Sequence, residues 1–240
     1  LDNLVIVISF YQPRPADDLR NLLSDLDSFQ KQTIIVINSD HTDSDPTTHT
    51  LAGRRAIVRE NIGMNIGAWN QGFLASPVKD YYFFLQDECF IKQPGFFEAC
   101  IARFLANPKL AMLGESLNHK WNHPWDTLSV SGLNWCDADH LINGEPIPRV
   151  DFYLRTMQSM NIDAGNTGLH LRSLCWAFRG DVLHAMGGFP IGKNKGECIA
   201  AEIGVSRKVL QLGFEFDQIT PNSFCFIGHR EWKADGNSKK

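Results

Sequence analysis

The chain has no CxxC pair, no Asn-x-Ser/Thr tripeptide, no internal repeat and no low-complexity tract. Its six cysteines (Cys89, Cys100, Cys136, Cys175, Cys198 and Cys225) are scattered. Even parity permits disulfides, but in a chain with this much apolar content free thiols in a reducing cytosol are the expectation. The longest apolar runs, Leu4 to Ile8 and Thr33 to Ile37, fall far short of the roughly 20 residues that cross a bilayer. No charge of one sign dominates: 23 Lys and Arg face 27 Asp and Glu, for a formal net charge of -4. That balance argues against a nucleic-acid groove or a polybasic membrane patch. The first residues carry no basic segment followed by an apolar stretch, so no secretory leader is expected in them. They also lack Met, as a piece of a longer protein would. No serine sits in a GxSxG setting, which removes the usual support for a hydrolase triad.

What is present is a core. With 43% hydrophobic residues over 240 positions, the chain can fold as an α/β unit, and the absence of a linker favours a single domain. The most informative stretch is Lys79-Asp-Tyr-Tyr-Phe-Phe-Leu-Gln-Asp-Glu88. An unbroken aromatic and apolar run that stops at adjacent carboxylates reads as a buried strand of a parallel sheet. Ligands of open α/β sheets bind outside the carboxyl ends of the strands, so Asp87 and Glu88 are expected at the mouth of a site. Further strands are expected at Leu4–Ser9, Thr33–Ile37, Ala56–Arg59 and Leu110–Leu113, and helices from Asp17, over Ala68–Leu74 and over Phe96–Leu105. The tract from Asn38 to Thr50 reads as a loop. After Leu113 the alternation breaks. Asn118 to Pro148 reads as a long irregular insertion, followed by a helix over Val150–Met160, a strand over Leu169–Arg179, helices over Asp181–Met186 and Ile199–Leu212, and late strands at Phe214–Phe216 and Ser223–Ile227.

Two more segments carry chemistry. Glu60-Asn-Ile-Gly-Met-Asn-Ile-Gly-Ala-Trp-Asn-Gln-Gly72 follows a strand and enters a helix, with glycines that allow close backbone approach to an anionic group. Its spacing fits neither the dinucleotide fingerprint nor the phosphate loop. Gly196-Glu-Cys-Ile-Ala-Ala-Glu-Ile-Gly-Val-Ser-Arg-Lys-Val-Leu-Gln-Leu-Gly213 places Glu202 at the expected opening of a helix, where an acid also fits as a cap. His119 and His123 are four apart, but Asn122 and Pro124 argue against the helix that would let them share a metal. Trp121, Trp125 and Trp135 lie in the same insertion. They read equally as sugar-stacking faces or as a satellite apolar cluster.

The order of these blocks resembles that of family 2-type glycosyltransferases with the GT-A fold. Strand-Ser9-Phe-Tyr11, strand-Asn38-Ser-Asp40, Glu60-Asn-Ile-Gly63, Phe83-Phe-Leu-Gln-Asp-Glu88, Phe178-Arg-Gly-Asp-Val-Leu183 with Gly187-Gly-Phe189, and Glu202-Ile-Gly-Val-Ser-Arg-Lys-Val-Leu-Gln-Leu-Gly213 follow one another over residues 4 to 229. The resemblance implies a Rossmann-like α/β fold: a mainly parallel central sheet with flanking helices and a small antiparallel extension. The nucleotide-sugar-binding half would cover about 1–115, and the acceptor-binding half about 116–232. It implies transfer of a sugar from a nucleotide-diphosphate donor to a hydroxyl of a saccharide or lipid-linked saccharide, with inversion, using Mn²⁺ or Mg²⁺. The setting would be cytoplasmic, or peripheral at the inner face of a membrane, in bacterial surface-polysaccharide synthesis. Ser9, Phe10, Tyr11, Asn38, Asp40, Asn61, Gly63 and Asn70, with Gln86 and Asp87, would line the donor site. Asp87, Glu88 and His229 would hold the metal. Trp176, Arg179, Trp121 and Trp125 would meet the acceptor. Glu202 would be the catalytic base, with Glu197 a nearby rival. Two departures stand out: Gln86 occupies the first Asp position of the family's DxD motif, and Ala201-Glu202 replaces the usual Glu-Asp. The nearest enzymatic alternative is a sugar-phosphate nucleotidyltransferase. It needs a Gly-rich basic loop after the first strand, where this chain has Tyr11-Gln-Pro-Arg-Pro15. A glycan- or nucleotide-binding domain with a decayed motif is the non-enzymatic one.

Overall fold

The computed structural model describes residues 2–40 and 46–232. An eight-stranded sheet forms its centre, in the order β11-β7-β10-β5-β1-β2-β4-β3. The inner strands β1 (Leu4–Tyr11), β2 (Thr33–Ser39), β4 (Arg54–Glu60) and β5 (Tyr81–Gln86) run parallel. Side chains alternate across a strand, and both faces here are covered. Ile6, Ile8, Phe83 and Leu85 therefore pack under α1 (Asp17–Asp25) and α3 (Phe96–Ala106). Val5, Val7, Tyr82 and Phe84 pack under α2 (Met64–Ala75), α6 (Gly180–Ala185) and α7 (Lys195–Gln211). Covering both faces is what makes these strands read as continuous apolar runs.

The architecture expected from the resemblance is the one observed. The small antiparallel extension is a pairing of β6 (Cys89–Ile91) with β12 (Ile227–His229), in which His229 stands opposite Cys89. A second small ribbon, β8 (Leu141–Ile142) with β9 (Glu145–Pro146), lies in the insertion. There too are the short helix α4 (Trp125–Ser129) and then α5 (Arg149–Ser159). These helices and Trp121 build a third apolar cluster against Ala200 and Ile203 of α7. All six cysteines are free. Among the described residues, no helix is long and apolar enough to cross a membrane.

Several boundaries differ from the sequence reading. Thr47–Leu51 is an edge strand, β3, antiparallel to β4. Every residue in it is exposed, so no burial pattern marked it. The adjoining part of that expected loop, 41–45, lies outside the described residues. The strand expected over Leu169–Arg179 is confined to β10 (Cys175–Arg179), which runs antiparallel between β5 and β7 (Leu110–Gly114). The late strands are β11 (Glu215–Gln218), parallel to β7, and β12, which starts where the expected Ser223–Ile227 strand ends. Helix α7 begins at Lys195 rather than Ile199. Asn194 caps it by accepting from the Glu197 N–H at 2.9 Å. Glu202 is thus well inside the helix and Glu197 is the acid of its first turn.

The strand ends converge as the parallel register requires. Ser9 stands beside Gln86, Tyr11 beside Asn38, and Ser39 beside Glu60. Beyond β1 the chain crosses by α1 on one face, whereas α2 leads into β5 on the other. The crevice between β1 and β5 is therefore a topological switch point. Entry into α2 is tight. Gly63 (φ +78°) and Met64 (φ +49°) are both left-handed, a conformation that strains a residue with a side chain. A Cβ on Gly67 would fall 2.0 Å from the Ile62 carbonyl oxygen. Gly67→Ala is accordingly expected to cost about 1–3 kcal/mol by overpacking, read as a lowered midpoint of chemical unfolding. A midpoint unchanged within error would contradict that packing.

Candidate active site

A cleft of about 580 Å³ opens at this switch point. One side is the α2 entry from Gly63 to Ile66, and its centre holds Gln86, Glu88, Ser173 and Glu202. The insertion supplies Asn118, Trp121, Trp135 and Arg149, and the end of the described chain adds Glu231 and Trp232. Glu88 and Glu202 thus face the same space although they lie far apart in sequence.

Local folding explains each placement. Asp87 follows β5 directly, and its N–H donates to the Ser9 carbonyl at 3.0 Å. Its carboxyl is buried. Desolvation first, and then the neighbouring Glu88 charge, push its pKa up to about 7 against the pull of Arg14. The pKa of Glu88 is also raised, by desolvation first. Arg14, which donates to Glu88 Oε2, opposes the rise, while the charge of nearby Glu231 adds to it. His229 is brought beside these groups by the β6–β12 pairing. That pairing is anchored by the buried carboxylate of Glu115, which accepts from the N–H groups of Cys225, Phe226 and Ile227 at 2.8–2.9 Å. His229 Nδ1 accepts from the Glu231 N–H at 3.2 Å, so Nε2 carries the proton and donates to Gln86 Oε1 at 2.9 Å. Burial, followed by Arg14, lowers its pKa to about 4, which keeps the ring neutral. Gln86 also donates to the Ser173 carbonyl at 2.6 Å. Glu202 accepts from the Ser173 N–H, which fixes one carboxylate oxygen.

The expected donor residues divide. Tyr11 and Asn61 both donate to the carboxylate of Asp40, and this contact is the leading cause of a raised Tyr11 pKa. Gly63 lines the cleft. Ser9 is buried, with its hydroxyl 3.3 Å from Asn65 Oδ1. Asn38 serves structure: it donates to the Met64 carbonyl at 3.0 Å and accepts from Arg59 at 2.8 Å. Phe10 is in the core on the α1 face. Asn70 accepts from the Phe189 N–H at 2.9 Å, tying α2 to the turn before α7 rather than facing the cleft.

Of the expected acceptor residues, Trp121 lines the cleft. Trp125 does not. Its indole N–H donates to the Ala164 carbonyl at 3.3 Å and its ring packs against Trp121, so the satellite-cluster reading describes it. Trp176 is fully buried between Trp69 and Phe189 under the sheet, because its position in β10 points into the helix layer. Arg179 lies at the opposite end of β10, beside Tyr81 at the start of β5, where it binds Asp181 and the Pro108 carbonyl. Neither reaches the cleft. Glu197 lines a separate depression with Arg155 and Ile191. His119 sits in a one-turn 3-10 helix, His119–Trp121, which gives His123 no shared face. The sequence reading missed Arg14, Asn118, Arg149, Arg172 and Glu231. Arg14 alone left a signal, as the cation of the loop after β1.

Among the described residues, no group of three or more His, Cys, Asp or Glu side chains is arranged to hold a metal ion. His229 does not fit as a ligand, since both ring nitrogens are engaged. The carboxylates of Glu88 and Glu231, which line the same cleft, do fit a divalent cation of the kind that binds by one or two carboxylates and completes its shell with substrate phosphates.

No protein-family profile matches the chain, and no curated protein matches it. Solved structures do. A mycobacterial protein shares 12% identity at a TM-score of 0.50, over 97% of this chain and 69% of that one. A mannosyltransferase from Pyrobaculum calidifontis, in complex with GDP-Man and Mn²⁺, shares 11% identity at a TM-score of 0.47, over 90% of this chain. The chain spans about half of that enzyme, 54%. A CMP:2-keto-3-deoxy-manno-octonic acid synthetase complexed with CTP shares 12% identity at a TM-score of 0.45, over 90% of this chain and 88% of that one. The likeness is one of fold, and function has to be argued from the site.

Proposed function

We propose that this cleft transfers a sugar from a nucleoside-diphosphate donor to a hydroxyl of a saccharide acceptor, with inversion. The observation that carries the reading is that Glu88, at the carboxyl end of β5, and Glu202, on α7, line one cleft at the switch point. Displacing a nucleoside diphosphate leaves negative charge on the leaving group, and Arg14 stands beside Glu88 where that charge can be met. Glu88 and Glu231 would hold a divalent cation, which when bound supplies Lewis-acid stabilisation of the diphosphate. Tyr11, Asp40 and Asn61 border the nucleotide. Glu202 takes the proton of the acceptor hydroxyl, with its carboxylate oriented by the Ser173 N–H. Holding donor and acceptor in line supplies the rest, and an inverting displacement needs no protein nucleophile. A role in surface-polysaccharide assembly rests on the sequence resemblance alone.

Calorimetric titration with UDP, GDP and dTDP, each with and without Mn²⁺, tests this. One nucleotide is expected to bind at least about tenfold tighter with Mn²⁺, a gain of about 1.4 kcal/mol. Slow hydrolysis of the matching nucleotide sugar should accompany it. Pyrophosphate release from a nucleoside triphosphate would instead favour the nucleotidyltransferase. Nucleotide binding with no turnover of any donor would favour the binding domain.

A further inference from the structure

Three cations of the cleft have no carboxylate partner. Arg14 is paired with Glu88, and Lys195 with Asp139 at 2.9 Å. Lys120, Arg149 and Arg172 line the same cleft, and among the described residues none of them reaches an acid at ion-pair distance. Arg149 spends one N–H on the Tyr153 hydroxyl at 2.7 Å. Its guanidinium lies over the Trp135 ring at 4.4 Å, and among the described residues its terminal amino groups have no hydrogen-bond partner. Arg172 lies over Trp232 at 4.6 Å, and its buried Nε–H has no acceptor among the described residues. Glu202 is the acid that acts on Arg172, from beyond ion-pair contact. A half-buried guanidinium without an acceptor is costly unless a ligand provides one, and a planar guanidinium matches a carboxylate or phosphate.

Beside them is an acceptor without a donor. His170 is fully buried, and its Nδ1 donates to the Gly168 carbonyl at 2.6 Å. Nε2 of the neutral ring must then accept, which it does from Asn118 Nδ2 at 3.3 Å. That fixes the Asn118 amide and leaves its Oδ1 buried with no donor among the described residues, in a residue that lines the cleft. A fully ionised anion such as sulfate has use for cations but offers no hydrogen to such an oxygen. A sugar hydroxyl does. Lys120, Trp121, Trp135 and Arg149 all come from the insertion and the start of α5, away from the β1 and α2 side assigned to the nucleotide.

We infer that the acceptor is an acidic saccharide. Its carboxylate or phosphate lies among Lys120, Arg149 and Arg172, and one of its hydroxyls donates to Asn118 Oδ1. The inference deepens the transferase reading and names the substrate class of that same cleft.

The test titrates three disaccharides that differ at the terminal sugar: glucuronate-ended, glucose-ended and glucose-6-phosphate-ended. Each is added to the protein with and without UDP or GDP. At least one acidic member is expected to bind tenfold or more tighter than the neutral one, and the stronger of the two tells carboxylate from phosphate. Lys120→Gln, at an exposed position, should shrink that preference about threefold, and Arg172→Gln should abolish it, while nucleotide affinity stays within twofold. Should Arg172→Gln fail to fold, Lys120→Gln and the wild-type preference still decide. Equal or weaker binding of both acidic sugars, no saccharide binding at all, or variants that weaken the nucleotide rather than the acidic sugar would overturn the inference. An acidic preference in a protein that binds no nucleotide would sink the transferase reading and leave the anion site standing.

Discussion

Glu202→Gln is expected to lower sugar transfer by about 10²–10⁴-fold, the range associated with a positioned general base. The substitution keeps the side chain's length and an oxygen that can still accept from the Ser173 N–H. Geometry and stability should therefore survive while the ability to receive a proton is lost. The donor KM should move by no more than a few-fold, since the role proposed for Glu202 is on the acceptor hydroxyl. Glu197→Gln supplies the contrast. The Glu197 carboxylate accepts from the Lys193 N–H at 2.7 Å and from Asn194 Nδ2 at 3.2 Å, as part of the box that starts α7. Its loss should cost about 0.5–1 kcal/mol of stability and leave the rate near that of the wild type. Initial rates on the two variants decide the matter. Near-normal transfer by Glu202→Gln, with loss in Glu197→Gln, would remove the base from α7's third turn and return it to the first.

Trp176→Ala should be among the most damaging single changes to stability, at about 3–5 kcal/mol. The ring is wholly buried, packed against Trp69 at a centroid distance of 5.0 Å and Phe189 at 5.7 Å. At roughly 2–4 °C per kcal/mol for a chain of this size, the melting temperature should fall by about 6–20 °C. Trp176→Phe keeps an aromatic ring and deletes an indole N–H that is buried without a partner among the described residues. Its cost should be smaller, because an unsatisfied buried donor is itself unfavourable. Acceptor KM should be unchanged in the Phe variant. A selective rise in acceptor KM with an unchanged melting temperature would show that the residue meets the acceptor after all.

The sheet was legible where burial on both faces wrote it into the chain. Leu4–Ile8, Thr33–Ile37 and Tyr81–Leu85 are apolar without a break because helices cover them above and below. β3 was illegible for the opposite reason: as an exposed edge strand of Thr, His and Leu, it carries no apolar alternation. The start of α7 was misread because Gly196 and two lysines hide the cap at Asn194. In the site, Glu88 was reached through the buried strand that ends beside it and Glu202 through the order of blocks, whereas the helix propensity around Glu202 says nothing of its role. Trp176 and Arg179 were carried to the acceptor by the order of blocks, which records neither strand parity nor strand direction. Strand parity sends the Trp into the core, and strand direction carries the Arg to the wrong end. Arg172, Asn118 and Glu231 sit in irregular backbone, where no periodicity exists to single them out.

One consequence of the antiparallel β10 concerns how the cleft can change. The polypeptide departs from the sheet after Gly114 on β7 and re-enters on the neighbouring strand at Cys175, running back the way it left. Everything between is a detour whose two ends are already clasped together. Lengthening or shortening its middle shifts no strand register, provided that Glu115, which holds β12, and Ser173, which holds Gln86 and Glu202, keep their places near its two ends. The wall carrying Trp121, Trp135 and Arg149 is thus a replaceable part, and if the proposed transfer holds, exchanging it is the route to a variant that keeps its donor and accepts a different recipient.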